Sequence, residues 1–183
     1  MLTEPGELTH TDLWGKYPTR SINGNHYYIS LLDDKTRRVR IRFLKTKDEA
    51  AQAVKDYITY LKAQGKSPKA LRFDHGKEYV NNDLLSWCQQ QGLEVQPTAP
   101  YSPSQNSVAE CLNCTLAELT CAMLIGWDVP KFLWEYAIQH TAYLHERTPT
   151  YPLKGKMPYE AWYNRKPNVA HLQEFGAPVW ILI

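Results

Sequence analysis

The sequence predicts an α/β protein in which a mixed five-stranded sheet carries helices on both faces. One observation is the alternation in residues 37–44, which places Val39, Ile41 and Phe43 on one face, as in a half-buried strand. Another is the helical spacing of apolar side chains just after that strand, at Ala50, Val54, Ile58 and Leu61. The predicted order is three strands, helix, strand, helix, strand and further helices, which fits a hairpin-bearing mixed sheet covered on both faces.

Five strands are predicted, at residues 8–14, 26–33, 37–44, 69–74 and 93–96. The second and third strands are separated by the tight-turn sequence Asp33-Asp34-Lys35-Thr36. We therefore expect these two strands to form an antiparallel hairpin.

Five helices are predicted, at residues 47–64, 82–91, from about 107, 129–147 and 157–164. Gly65 and Gly92 follow the first two, and glycine readily adopts the left-handed conformation that ends a helix. No internal repeat or linker divides the sequence. Residues 1–183 are therefore expected to form one domain, with the helices at about 129–165 as an extension of it.

The segment Pro97–Asn106 is predicted to be a long loop. Its prolines and small polar residues do not continue a helix or a central strand. A loop of this length inside a compact domain is usually functional or disordered.

The composition is that of a soluble globular protein, with 43% hydrophobic and 22% charged residues. No apolar run approaches the roughly 20 residues of a membrane helix, and the N-terminal segment lacks the features of a signal peptide. We expect an intracellular protein, nuclear or cytoplasmic and not secreted, without membrane association. The net charge of +2 is too small to indicate a nucleic-acid partner by itself.

Three of the four cysteines, Cys111, Cys114 and Cys121, fall in one predicted helix and do not form a disulfide-framework pattern. The Cys111-x-x-Cys114 pair also admits a zinc site completed by His140 or His145. The pattern lacks a second matching pair, so reduced, partly buried thiols are the preferred interpretation.

Arginines alternate with apolar residues in the third strand, at Arg38, Arg40 and Arg42. One interpretation is the solvated face of an outer strand, where positive charge discourages edge-to-edge pairing. The other is a stripe that contacts phosphates. The pattern alone favours the first.

Asp12, Asp74 and Glu110 are the strongest candidates for catalytic residues. The first two belong to predicted strands, and Glu110 lies near a predicted helix start. Clustered carboxylates repel one another unless a cation neutralises them. A carboxylate triad can hold two divalent cations, which stabilise the attacking and leaving oxygens of a phosphodiester, and magnesium suits an all-oxygen site. The pattern favours metal-assisted phosphodiester chemistry.

Each acidic residue also has a structural interpretation. A strand Asp such as Asp12 is often exposed or close to a turn, and Asp74 precedes the turn sequence His75-Gly76. Ser107 and Glu110 fit a capping box, in which the Glu side chain reaches back to the Ser amide. In that arrangement the helix start would engage the carboxylate that a metal needs.

The flanking sequences resemble the integrase catalytic core of copia-type LTR retrotransposons, a retroviral-type integrase. The similarity covers nearly the whole chain, and its most specific segments surround the three acids: HTDLWG, RFDHGKEY and APYSPSQNSVAECLNCTL. Further similarity lies in FLWEYAIQHTAYLHERTPT and PYEAWYNRKPNVAHLQEFGAPVW. The aspartate-aspartate-glutamate pattern, with 35 residues between the last two acids, is part of this resemblance.

The resemblance implies a ribonuclease-H-like fold and a polynucleotidyl transferase that uses two Mg²⁺ or Mn²⁺ ions. It assigns Asp12, Asp74 and Glu110 as catalytic residues and metal ligands. The reactions would be 3′-end processing and strand transfer of retrotransposon DNA. The same resemblance assigns DNA contacts to four residues: Lys77, Tyr101, Gln105 and Asn106. It also implies element-end and target DNA as partners, a homo-oligomer, and further polyprotein domains outside this sequence.

Several positions depart from the family pattern. Ser107 replaces a glycine, Cys111 and Cys114 replace arginines, and His75-Gly76-Lys77 replaces asparagine-glycine-glycine. Loss of the arginines removes phosphate-binding charge. The alternative function is therefore a degenerate or domesticated integrase-like domain that binds DNA or a partner without efficient catalysis. A cellular ribonuclease H or structure-specific nuclease is a third interpretation.

Overall fold

The computed structural model describes residues 4–73, 81–97 and 103–180, without the side chains of Pro97 and residues 103–107. The five strands are β1 (Leu8–Trp14), β2 (Tyr27–Asp33), β3 (Val39–Leu44), β4 (Ala70–Phe73) and β5 (Glu94–Pro97). All five predicted strands are present, with ends shifted by one or two residues within the described ranges. The main shift is at β3, where Arg37 belongs to the turn and has a φ of 59°.

The sheet is mixed, with the strand order β3-β2-β1-β4-β5. β1, β2 and β3 form an antiparallel meander, which confirms the predicted hairpin. β4 pairs in parallel with β1, and β5 pairs in parallel with β4. β1 is therefore at the centre of the sheet, where both of its edges are hydrogen-bonded.

The helices are α1 (Glu49–Ala63), α2 (Asn82–Gln90), α3 (Pro103–Gly126), α4 (Trp134–His145) and α5 (Pro158–Tyr163). Two short 3-10 helices, Lys131–Leu133 and Tyr151–Leu153, precede α4 and α5 respectively. The first of them occupies the beginning of the helix predicted at 129–147. Asn81 caps α2, because its side-chain oxygen accepts a hydrogen bond from the Leu84 amide at 2.9 Å.

Both faces of the sheet are covered, as predicted. On one face, Ile29 and Leu71 pack in a core cluster with α1 and α2, and Trp162 of α5 joins them. On the other face, Tyr28 packs with Trp134 and Ile138, while Leu32 packs with Leu112 and Leu116 of α3. Adjacent residues of β2, such as Tyr28 and Ile29, thus pack on opposite faces of the sheet, as the two-residue period of a strand requires.

α3 begins at Pro103, which corrects two sequence predictions. Residues 103–106 are helical, so they do not belong to the predicted loop Pro97–Asn106. Ser107 lies inside the helix, so it cannot be the N-cap of a capping box with Glu110. The prolines had suggested a loop, but proline is favoured at the first position of a helix, where its missing N–H is not needed.

Arg38, which precedes β3, and the β3 residues Arg40 and Arg42 contact side chains of the protein itself. Arg38 is buried, lies 3.3 Å from Glu146 and stacks over Trp162. Arg40 lies over the Tyr60 ring at 4.1 Å, and Arg42 is 3.5 Å from Asp56. β3 is an edge strand, as the preferred interpretation required. Of these three arginines, however, only Arg40 and Arg42 are exposed. The interpretation as a solvated face is therefore wrong for Arg38.

Val108–Gly126 of α3 forms 19 residues of mean hydropathy 1.5. By length and composition alone this helix would be able to cross a membrane, which corrects the expectation that no apolar run approaches that length. The core helix of a soluble protein passes the same test. Leu112 and Leu116 of this helix pack against the sheet residues Leu32 and Val39.

Asp34 is expected to make stability depend on pH in acid. The His10 Nε2 atom lies 2.9 Å from Asp34 Oδ1, and this hydrogen bond holds the pKa of Asp34 below its usual value. A depressed carboxyl pKa contributes stability above the unfolded pKa of about 3.9, and that stability is lost as the pH falls through the lower folded value. In urea unfolding, wild-type stability should therefore fall more steeply below about pH 4 than that of Asp34→Asn.

Asp48→Asn is the matched control for this measurement, because Asp48 is exposed and makes no side-chain cap hydrogen bond to α1. Equal slopes for the wild type and Asp34→Asn would contradict the prediction.

Candidate active site

Asp12 lies on the central strand β1, opposite Ser30 of β2. Only 7% of Asp12 is exposed to solvent. The Ser30 hydroxyl donates to the Asp12 carbonyl at 3.3 Å. Pairing with β2 and the contact with α3 therefore place its carboxylate at the α3 face of the sheet.

Asn113 of α3 holds the Asp12 carboxylate. Its Nδ2 atom donates to Asp12 Oδ2 at 2.6 Å, and Asn113 is itself buried. A hydrogen bond to a charged acceptor in a buried site is stronger than a neutral one. Asn113 was not among the site residues predicted from the sequence. The available signal was its spacing three residues after Glu110, which places both residues on the same side of a helix.

Tyr28 contacts the side-chain oxygen of Asn113. The Tyr28 hydroxyl donates to Asn113 Oδ1 at 3.5 Å, at the long end of hydrogen-bond distances. Burial raises the pKa of Tyr28, and the negative charge of Asp12 raises it further. Tyr28 therefore keeps its proton at neutral pH and remains a donor. It is also stacked on Trp14, with ring centroids 5.3 Å apart.

Glu110 is exposed on α3, one helical turn before Asn113. Because α3 begins seven residues earlier, at Pro103, the helix start does not engage the carboxylate of Glu110. The same helix thus carries one candidate acid and the amide that fixes another.

The remaining predicted site residues cannot be placed in the same way. Asp74, Lys77 and Tyr101 lie outside the described residues, and so do the side chains of Gln105 and Asn106. The described part of β4 ends at Phe73, which lies opposite Thr11, the residue before Asp12. Asp74 is the next residue in the sequence.

The donor set suits a hard divalent cation. Carboxylate oxygens are the ligands that magnesium prefers; the Asp12 carboxylate is buried beneath α3, and Glu110 is exposed on that helix. Among residues 4–73, 81–97 and 103–180, no three His, Cys, Asp or Glu side chains form a metal site. The third acid of the predicted triad is outside those ranges. Cys111, Cys114, His140 and His145 lie within them, and the zinc alternative therefore has no support.

Replacement of Asn113 by Leu, which has a similar volume, is expected to lower the free energy of unfolding by about 1–3 kcal/mol, because the buried Asp12 carboxylate loses a hydrogen-bond donor. Urea unfolding measures the change. Cys114→Ala, an exposed neighbour on α3, is the control and should change stability by less than about 0.5 kcal/mol. An Asn113→Leu protein as stable as this control would show that the 2.6 Å contact contributes nothing.

Residues 3–103 match the model of the integrase core domain family. The chain is 33% identical over 171 residues to the retrovirus-related Pol polyprotein from transposon TNT 1-94 of Nicotiana tabacum. The aligned region covers 93% of this chain and 13% of the polyprotein. It is 28% identical over 179 residues to the retrovirus-related Pol polyprotein from transposon RE2 of Arabidopsis thaliana. That aligned region covers 95% of this chain and 12% of the polyprotein. The chain thus spans only a small part of these relatives.

Solved integrase structures share the fold. A chain in the structure of the simian T-cell lymphotropic virus intasome in complex with the PP2A regulatory subunit B56 gamma matches with a TM-score of 0.69 and 18% identity. This match covers 98% of the present chain and 61% of the matched chain. The HTLV-2 integrase catalytic core domain in complex with magnesium, in a trimeric form, matches 87% of this chain and 97% of its own, with a TM-score of 0.63 and 14% identity. These matches and the five-stranded mixed sheet confirm the ribonuclease-H-like fold. The chain belongs to the integrase core domain family.

Proposed function

We propose that this chain is the catalytic core of a retrotransposon integrase and joins DNA 3′ ends to target DNA by a two-metal mechanism. The observation that carries the proposal is the buried Asp12 carboxylate, fixed by Asn113 on the helix that presents Glu110. Family membership and similarity to transposon Pol polyproteins support a role in DNA integration.

Asp12, Asp74 and Glu110 would hold two Mg²⁺ or Mn²⁺ ions in this proposal. When bound, such a pair supplies charge neutralisation to both the attacking and the leaving oxygen of the phosphodiester. The protein contributes preorganisation, because Asn113 fixes one carboxylate through a 2.6 Å hydrogen bond. One of the solved relatives is an integrase core in complex with magnesium, which supports this choice of ion.

DNA is the proposed partner, namely the element ends and the target. Lys77, Tyr101, Gln105 and Asn106 remain the proposed DNA-contacting residues. We also propose that a homo-oligomer acts on DNA, since the HTLV-2 core was solved in trimeric and dimeric forms. In this proposal residues 1–183 act as one core domain of a longer polyprotein, inside the cell, in the nucleus or cytoplasm.

A strand-transfer assay tests the catalytic proposal. The purified chain, magnesium and a labelled donor duplex should give a joined product, and the Asp74→Asn variant should not. Substitution of EDTA for magnesium should abolish the product as well. Wild-type product no greater than that of Asp74→Asn would exclude catalysis by this chain.

A degenerate domain that binds DNA without efficient catalysis is the other function class, and none of the matches favours it. It rests on Cys111 and Cys114, which stand where the family pattern has arginines. DNA binding without product in the strand-transfer assay would support it.

We expect DNA binding by this chain to be weak and steeply dependent on salt. Most of the affinity of such proteins comes from phosphate contacts that release counterions, so the logarithm of the binding constant falls linearly with the logarithm of the salt concentration. Fluorescence anisotropy of a labelled duplex between low and physiological salt measures the slope. A tight binding curve that salt does not shift would contradict both the prediction and its electrostatic basis.

A further inference from the structure

Cys111 and Cys114 form a pair of free thiols on the surface of α3. The sequence favoured partly buried thiols, and that interpretation is wrong for both, because they are exposed. They are three positions apart in a helix, so their side chains are neighbours, with Cβ atoms about 5–6 Å apart. Both residues lie inside the helix, away from its ends at Pro103 and Gly126. α3 therefore holds the two thiols at a fixed spacing.

This spacing is too wide for a disulfide between the two thiols. A disulfide needs Cβ atoms about 3.5–4.5 Å apart, so closing one here requires distortion of α3. A single atom that is bonded to both sulfurs spans a wider gap than a direct S–S bond of about 2 Å. The pair therefore suits a thiophilic atom placed between the two sulfurs.

The ligands near the pair restrict the choice of that atom. Zinc requires a tetrahedral set of ligands, and among residues 4–73, 81–97 and 103–180 no three His, Cys, Asp or Glu side chains form a metal site. Thiolates select soft elements. The two Cα–Cβ bonds tilt in the same axial direction and lie about 60° apart around the helix axis, so the sulfurs extend side by side. This favours a bent bridge over a linear one. Trivalent arsenic with one carbon substituent forms a bent bridge and requires only two protein ligands.

We propose that Cys111 and Cys114 form a binding site for monosubstituted trivalent arsenicals, such as phenylarsonous acid, the hydrate of phenylarsine oxide. Each thiol sulfur donates an electron pair to arsenic and forms an As–S bond. Each As–OH bond breaks, and the hydroxide leaves with a thiol proton as water. The product is a cyclic dithioarsonite that bridges one turn of α3. Arsenic remains trivalent, so no oxidant or reductant is required.

Attachment to both thiols gives the site its affinity. Once one As–S bond has formed, the second thiol is held beside the arsenic, and such intramolecular closure raises affinity about 10²–10⁴-fold over a single attachment. Cys121 is also free and exposed on α3, but it lies about 10.5 Å beyond Cys114 along the helix axis. The two cannot share one arsenic atom, and Cys88 is buried. Cys121 therefore provides the comparison for single attachment.

Titration of the folded chain with phenylarsine oxide tests the proposal, with glutathione present to compete against single attachment. Native mass spectrometry counts the arsenicals bound to each chain. The wild type and Cys121→Ser should each bind one arsenical, whereas Cys111→Ser and Cys114→Ser should each bind about 100-fold more weakly. Equal affinities for Cys121→Ser and Cys114→Ser would overturn the proposal. Far-UV circular dichroism of each variant before the titration verifies that it is folded.

A second measurement tests the fit of the bridge to the intact helix. Because the bridge matches the helical spacing, the far-UV circular dichroism of Cys121→Ser should not change when the arsenical saturates it. Loss of helical signal on binding would show that the thiols react only when α3 is distorted, which would also overturn the proposal. Neither measurement involves DNA or a divalent cation, so the outcome is independent of the proposed integrase activity.

Discussion

The Asp12→Asn variant is expected to lose strand-transfer activity by at least about 10³-fold, a change of about 4 kcal/mol in the activation free energy. Asn has nearly the same shape as Asp, and its amide oxygen can still accept the hydrogen bond that Asn113 donates to Oδ2. What the substitution removes is the negative charge that a divalent cation requires. The strand-transfer assay with magnesium measures this loss.

Thermal unfolding with and without magnesium separates this effect from misfolding. A ligand that binds only the folded state raises its stability by mass action, so magnesium should raise the Tm of the wild type and leave that of Asp12→Asn unchanged. Asp56→Asn is the matched control. Asp56 is exposed on α1 and pairs with Arg42 at 3.5 Å, a surface interaction of small energetic value. Retention by Asp12→Asn of activity within about tenfold of the wild type would exclude Asp12 as a metal ligand.

The Trp134→Ala variant is expected to lose about 3–5 kcal/mol of unfolding free energy. Trp134 is fully buried at the start of α4, and its ring is stacked on Tyr17 at a centroid distance of 4.8 Å. Phe43 of β3 meets it edge-on at 5.7 Å. Its indole N–H donates to the Thr19 carbonyl at 3.1 Å. The substitution therefore creates a cavity and removes a buried hydrogen-bond donor.

Urea unfolding of Trp134→Ala and Trp180→Ala provides the comparison, because Trp180 is 94% exposed and should change stability by less than about 0.5 kcal/mol. A loss of this size is a large part of the 5–15 kcal/mol that stabilises a typical domain. Equal stabilities for the two variants would contradict the assignment of Trp134 to the core.

The same aromatic cluster connects Trp134 to the candidate active site. Tyr17 packs on both Trp134 and Trp14, and Trp14 is stacked on Tyr28, the residue behind Asn113. The α4 face of the sheet therefore supports the position of Asn113 through packed rings. The region around Asp12 depends on the core for its geometry as well as on its own hydrogen bonds.

The structure also changes the interpretation of Glu110. The sequence suggested that a capping serine, Ser107, competes for this carboxylate. Because α3 begins at Pro103, Ser107 has no capping role and Glu110 is not engaged by the helix start. The replacement of the family arginines by Cys111 and Cys114 remains the main departure, and both thiols are exposed on α3.

The sequence by itself determined the element order, the mixed sheet and the family. Strand and helix periods depend on which neighbouring residues share a face, so they can be read from local spacing. The segments around the three acids carried the family resemblance because the residues of each motif are consecutive. The differences were at element ends: Arg37 is a left-handed turn residue where a strand start was predicted, and α3 begins at Pro103, inside the predicted loop.

The tertiary structure alone decided the contacts that give these residues their roles. Asn113 and Asp12 are 101 positions apart, so no local pattern predicts their hydrogen bond. Arg38 looked like a surface charge in an alternating strand, but α5 and Glu146 bury it. Local spacing specifies which side a residue faces, whereas the packing of distant segments specifies what it meets there.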